Sequence, residues 1–188
     1  SHRALDLTAG PAPGSTRDVP ALFRQPVGGT LGQALAAVAL GGAEAALDLF
    51  RESATRRVLH LQGQVQAADP AAQLDLAEAT VRIESARLLL QRDCEVVRAL
   101  GRRSIPASPL EIAQLRLNKV HAVRECVAAI DRLFAASGGG ALQDGHPLQR
   151  IWRDVHAVQA HAGLTWSNHA RNYGSLAVGL PPTNRQLF

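Results

Sequence analysis

The sequence predicts an all-α fold, an antiparallel helical bundle, and three observations predict it. The chain is rich in Ala, Leu and Arg and only 4% aromatic, which favours helices over sheets. Apolar residues recur at helical spacing through several long segments. Those segments are separated by breaks that carry helix-start chemistry, as in Asp69-Pro70 and "SPLE". At 188 residues one hydrophobic core is the natural organisation.

Each element follows in order. Residues 1–29 are dense in Pro, Gly, Ser and Thr, as in "AGPAPGSTRDVP", and read as a connecting arm, with "HRALDL" as the end of a strand. Thr30 is expected to cap a first long helix whose apolar positions include Leu31, Leu35, Val38, Leu47 and Phe50. The Gly41-Gly42 pair inside it costs about 1 kcal/mol of helix propensity per glycine, so another helix is expected to cross closely there. Asp69-Pro70 opens the second helix. Leu76, Ile83, Leu90 and Val97 recur at heptad spacing, and so do Leu74, Val81 and Leu88, predicting a wide apolar face at the centre of the bundle.

Gly101 and "RRSIPAS" end that helix. Ser108 and Glu111 then form a capping box, with Pro109 at the first helical position. The third helix is expected to bury Ile112, Leu115, Val123, Val127, Ile130 and Phe134, and to stop at Ser137-Gly138-Gly139-Gly140. Pro147 starts a fourth helix, a fifth runs from about Thr165 to Leu180, and "PPTNRQLF" is a tail.

Composition also bounds function. No uninterrupted apolar run approaches the ~20 residues of a membrane helix, so no membrane partner is expected. The net charge of +4 is mild, and the arginines are scattered among acids, the pattern of solvated faces rather than a nucleic-acid stripe. Cys94 and Cys126 fall inside predicted helices and read as buried free thiols of a reducing, cytoplasmic compartment. The sequence begins Ser-His-Arg and holds no Met, from which a processed chain or a piece of a longer one is expected.

The stretch "RDVHAVQAHAGLTW", residues 153–166, carries two histidines. On one helix His156 and His161 would point ~140° apart, and no carboxylate follows Asp154, so the residues do not read as a metal site. "GGTLG" at 28–32 superficially resembles a phosphate-binding loop, but without a strand before it the stretch reads as a helix entry. Arg56-Arg57, taken alone, reads as a solvated face. The turn in "SGGGALQDGHPLQR" is either a helix–helix loop or a place where backbone amides approach an anion. By spacing alone His161 reads as a structural histidine more readily than as a catalytic one.

At "HPLQRIWRDVHAVQAHAGLTW" the sequence resembles the C-terminal bundle of the acyl-CoA dehydrogenase superfamily. It is most similar to the type-2 branch, the oxygenase components of two-component flavin monooxygenases. "LGGAEAALDLF", "DPAAQLDLAEATVRIESARLLL" and "YGSLAVGLPP" continue the resemblance in order from Leu31 onward. It implies that residues 30–188 are the C-terminal bundle and that residues 1–29 are an arm leaving a β-domain. It also implies hydroxylation of a small aromatic or phenolic substrate through a flavin C4a-hydroperoxide. The cofactor would be reduced FMN or FAD, supplied by a separate flavin reductase, with O2.

Many dehydrogenases of the superfamily carry Glu-Gly-Thr near this junction, and that Glu removes a proton from the thioester. Here the region reads "AHAGLT". The resemblance therefore implies a catalytic His161 facing the flavin and the phenol. By the same resemblance, Arg56 and Arg57 meet cofactor phosphate from a neighbouring chain, and Gly138, Gly139 and Gly140 form the glycine turn beside it. It also implies an Arg153-Asp154 ion pair and a homotetramer. Two rival readings stand beside it: an FAD-dependent acyl-CoA dehydrogenase-like enzyme, and a non-catalytic bundle for oligomer assembly.

Overall fold

The computed structural model describes residues 18–184 apart from 62 and 104, and in them five long helices pack as a bundle. They are α1 (Gln33–Ala54), α2 (Pro70–Arg102), α3 (Pro109–Ala136), α4 (Pro147–Gln159) and α5 (Trp166–Ala177). Helix α3 is central and touches the other four, while α1 also packs on α2 and α4. The strand expected at "HRALDL" and most of the arm lie outside the described residues.

The capping signals are realised where they are local. Asp69 accepts from the Ala71 N–H, with Pro70 in the first turn of α2. Ser108 and Glu111 form the reciprocal box at the start of α3. Thr30, by contrast, caps nothing. It ends a separate single turn, Val27–Thr30, and its hydroxyl donates back to the Pro26 and Val27 carbonyls. The N-cap of α1 is Gly32, at φ 90, a conformation that suits glycine.

The core of α1 also differs from expectation. Leu31 and Val38 are exposed, and the buried face is Ala36, Ala39, Ala43 and Ala46, continued by Leu47 and Phe50. Small side chains let α1 approach its neighbours closely. A Cβ added at Gly42 would lie 2.6 Å from Val155 Cγ2 of α4, whereas one at Gly41 would meet nothing. The glycine pair thus marks a helix crossing through its second member alone.

On α2 the Ile83, Leu90 and Val97 row is buried, but Leu74, Val81 and Leu88 face solvent. One of the two heptad rows is therefore core and the other is surface. By length and apolarity Val27–Ala54 could cross a membrane, yet its alanine face forms the middle of this bundle. A short antiparallel hairpin, Val58–Leu59 with Gln64–Val65, interrupts the all-α pattern between α1 and α2. Cys126 is buried and Cys94 exposed, both as free thiols.

Ion pairs tie α2 to α3 along one side, with Arg82 on Glu78 and Glu125, and Arg132 on Asp75 and Glu78. Inside, Asp93 accepts from Asn118 at 2.8 Å, and burial raises its pKa. Lys119, 2% exposed, donates to the Leu31 carbonyl, and Arg116 donates to that of Gly28. These two cations pin the entry segment onto α3.

Burial sets a pH dependence with two opposing parts. It lowers the Lys119 pKa from 10.5 to about 8, with the Arg116 charge adding to the effect. Between those values the unfolded chain holds a proton that the folded chain has shed, so stability rises with pH, by about 3 kcal/mol in all. Burial pushes the Cys126 thiol from 9.0 up to about 12, so the unfolded thiol ionises first and stability falls from pH 9 upward. Urea unfolding should therefore show a rise from pH 8 to 9, a plateau, and a fall above 10.5. A Cys126→Ala variant should keep rising to about pH 10.5, and a flat profile in that variant would refute the Lys119 assignment.

Candidate functional site

The expected site residues gather in two places, at opposite ends of α4. The first is built by the hairpin. Its closing strand brings Gln66 beside Arg57, whose carbonyl accepts from the Gln66 N–H at 2.8 Å. Arg57 Nη1 then donates to the Ala136 carbonyl at 3.1 Å and to that of Ser137, while Gln66 Nε2 donates to Ala136 at 2.7 Å. These are carbonyls at the end of α3, where no helical partner exists and a cation is favoured.

The chain turns there at Gly138, at φ 63, and a Cβ at that position would lie 2.6 Å from Arg57 Nη2. Gly139 and Gly140 have open space where a Cβ would stand. A cleft of about 240 Å³ results, lined among others by Phe50, Ser53, Arg57, Ser137, Gly140 and His146. Arg56 is not part of it. Its guanidinium is exposed and pairs with Glu52 one turn back on α1.

The second place is the turn after α4. That helix ends at Gln159, so His161 lies beyond it, and the two histidines do not share a helix. His161 is the N-cap of a single 3-10 turn, Ala162–Leu164, and its Nδ1 accepts from the Gly163 N–H at 3.0 Å. Leu164, 2% exposed, seats the turn in the core, and the His161 side chain stays exposed. An accepting Nδ1 means that the neutral ring carries its hydrogen on Nε2. His161 thus offers an N–H donor to whatever stands outside.

His156 has other duties. Its Nδ1 donates to the Trp152 carbonyl at 2.8 Å, and its Nε2 lies 3.3 Å from Asp131, which also accepts from Trp152 Nε1 at 2.7 Å. This cluster fastens α4 to α3. Asp154 pairs with Arg150 rather than with Arg153, because side chains four apart on a helix are neighbours and adjacent ones diverge.

From His146 to His161 the chain runs the length of α4, so about 20 Å separates the two places. Sequence reasoning missed Gln66, His146 and His169. Gln66 is brought in by a hairpin whose strands are two residues each, for which the sequence carries only the glycine at 63 as a signal. His146 caps α4 through its Nδ1, an unusual residue for that position.

Comparison with known proteins places the chain. Residues 33–166 match the family described as acyl-CoA dehydrogenase, C-terminal domain. The p-hydroxyphenylacetate 3-hydroxylase oxygenase component of Acinetobacter baumannii is 33% identical over 162 residues, covering 86% of this chain and 38% of that protein. The flavin-dependent monooxygenase oxygenase subunit HsaA of Rhodococcus jostii (strain RHA1) is 32% identical over 193 residues, covering 100% of this chain and 50% of that protein. The solved structure of XiaF from Streptomyces sp., in complex with FADH2 and glycerol, matches with a TM-score of 0.85 at 24% identity, over 97% of this chain and 45% of that one. At that identity the likeness shows the fold alone. The chain spans half or less of the length of these relatives. It belongs to the acyl-CoA dehydrogenase C-terminal domain family, type 2, and is related to the oxygenase components of two-component flavin-dependent monooxygenases.

Proposed function

We propose that this bundle is the C-terminal domain of a flavin-dependent monooxygenase, an oxygenase component that hydroxylates a small aromatic or phenolic substrate. Residues 1–29 would be the arm that joins it to a β-domain. Reduced FMN or FAD, delivered by a separate reductase, would supply the activation of O2. The observation that carries this reading is the His161 turn. An exposed imidazole is held with its Nε2–H outward, in a stretch that has no Asp or Glu after Asp154. Such a donor can hold an oxygen atom or a phenol hydroxyl. The same stretch offers no carboxylate to remove a proton from an acyl thioester, which counts against the dehydrogenase reading.

The first place fits the anionic end of a flavin. Arg57 is a guanidinium pinned at the carbonyl end of α3, so its own charge would have to hold the anion, beside a glycine turn whose backbone is open to approach. The glycine turn of Gly138, Gly139 and Gly140 would let that end come close, and Arg56 would add charge from outside the cleft. Because about 20 Å of helix lies between His146, which lines the Arg57 cleft, and His161, the two places would serve flavins held by different copies of the chain. That requirement supports an oligomer, the homotetramer being the form the resemblance implies, and the exposed Leu74, Val81 and Leu88 row offers apolar surface for it.

The test uses the full-length oxygenase with reduced FMN or FAD, a panel of phenols and ¹⁸O2. Label should appear in a hydroxylated product. Bleaching of bound oxidised FAD by an acyl-CoA, with no labelled product, would overturn the proposal in favour of a dehydrogenase.

A further inference from the structure

Gly163 is held through both of its flanking peptide groups. Its N–H donates to His161 Nδ1 at 3.0 Å, and its carbonyl lies 3.0 Å from Nε2 of His169, on the first turn of α5. A carbonyl oxygen only accepts, so His169 Nε2 must carry the hydrogen. His169 is 4% exposed, so water does not compete for that bond. Burial lowers its pKa, and the nearby Lys119 and Arg116 charges lower it further, against the Gly163 bond. The Gly163 carbonyl is the acceptor that faces Nε2.

We propose that His169 is a positioning residue: by holding the Gly163 carbonyl it aims the Gly163 N–H at His161 Nδ1 and so fixes His161 in the tautomer that presents Nε2–H. The chain of contacts is short and rigid. Leu164 is buried on one side of the peptide, and the Thr165 hydroxyl donates back to the Ala162 carbonyl at 3.0 Å. The Gly163 N–H and carbonyl belong to successive peptide groups joined at the Gly163 Cα. With the carbonyl released the glycine backbone can change its dihedral angles, and the N–H that separates the two His161 nitrogens loses its fixed aim. The link from this tautomer to catalysis rests on the proposed role of His161. The link from His169 to the tautomer does not.

The test is long-range ¹H–¹⁵N correlation of the histidine side chains in the intact polypeptide, for wild type, His169→Ala and His169→Gln. In wild type, neutral His161 should be predominantly Nε2–H. In His169→Ala the ratio of Nε2–H to Nδ1–H should fall about tenfold, the effect of one hydrogen bond. His169→Gln keeps an amide donor within reach and should restore most of the ratio. A wild-type His161 that carries its proton on Nδ1 overturns the proposal without any variant, which covers the case of a misfolded alanine variant. So does a His169→Ala spectrum in which the His161 tautomer is unchanged.

In the full-length enzyme, product per oxygen consumed should fall about tenfold in His169→Ala and recover in His169→Gln. A shifted tautomer with unchanged product yield supports the positioning role and counts instead against His161 in catalysis.

Discussion

On the proposed function, replacing His161 with alanine in the full-length protein should lower hydroxylated product per oxygen consumed by about 100-fold, the scale of an oriented proton donor. Two effects are removed together. The Nε2–H donor is lost, and so is the Nδ1 acceptor that caps the Ala162–Leu164 turn. His161→Asn separates them, because an asparagine side chain can cap the turn but cannot place a donor where Nε2–H stands. The asparagine variant should recover the thermal stability that alanine loses while its product yield stays low. Wild-type yield in either variant would remove His161 from the chemistry.

Replacing Phe50 with alanine should lower the unfolding free energy by about 4 kcal/mol. Phe50 is 2% exposed, among the largest side chains fully enclosed by the bundle. It also lines the Arg57 cleft, with its ring at the border between core and site. The void should leave the cleft wider and the end of α1 looser, just before the hairpin that carries Arg57. Urea unfolding measures the loss, and a change below about 1 kcal/mol would mean that the surrounding helices close over the gap.

The sequence disclosed what local chemistry decides. Asp69-Pro70, Ser108 with Glu111, and Pro147 each act within one turn of helix, and each starts a helix where expected. The all-α bundle was legible for the same reason, since its long segments have only one periodicity. What depends on a neighbour was harder to read. Two heptad rows on α2 are equally apolar, and only packing decides that Ile83 is core while Val81 is surface. Leu31 and Val38 outrank alanine in hydrophobicity, yet close helix approach selects the alanines.

The site was legible in the same measure. The glycine turn and Arg57 were both picked out, but their contact spans residues 57 to 138 and is made through an unforeseen hairpin. His161 was placed on a helix that ends two residues earlier. The Ala-Gly break after it was the available sign. His169 carried no signal at all, because a buried histidine that steadies a peptide looks like any other until the peptide is seen.

The alanine seam of α1 makes the molecule's tolerance to change one-sided. At Ala36, Ala39, Ala43 and Ala46 there is almost nothing to take away, since each is already near the smallest residue and is 0% exposed. Any larger residue must push a neighbouring helix outward, at a typical cost of about 1–3 kcal/mol. Mutational drift along this line can therefore only swell the protein. A lineage carrying this seam would record its history in the helices that face it, where compensating residues would have to shrink.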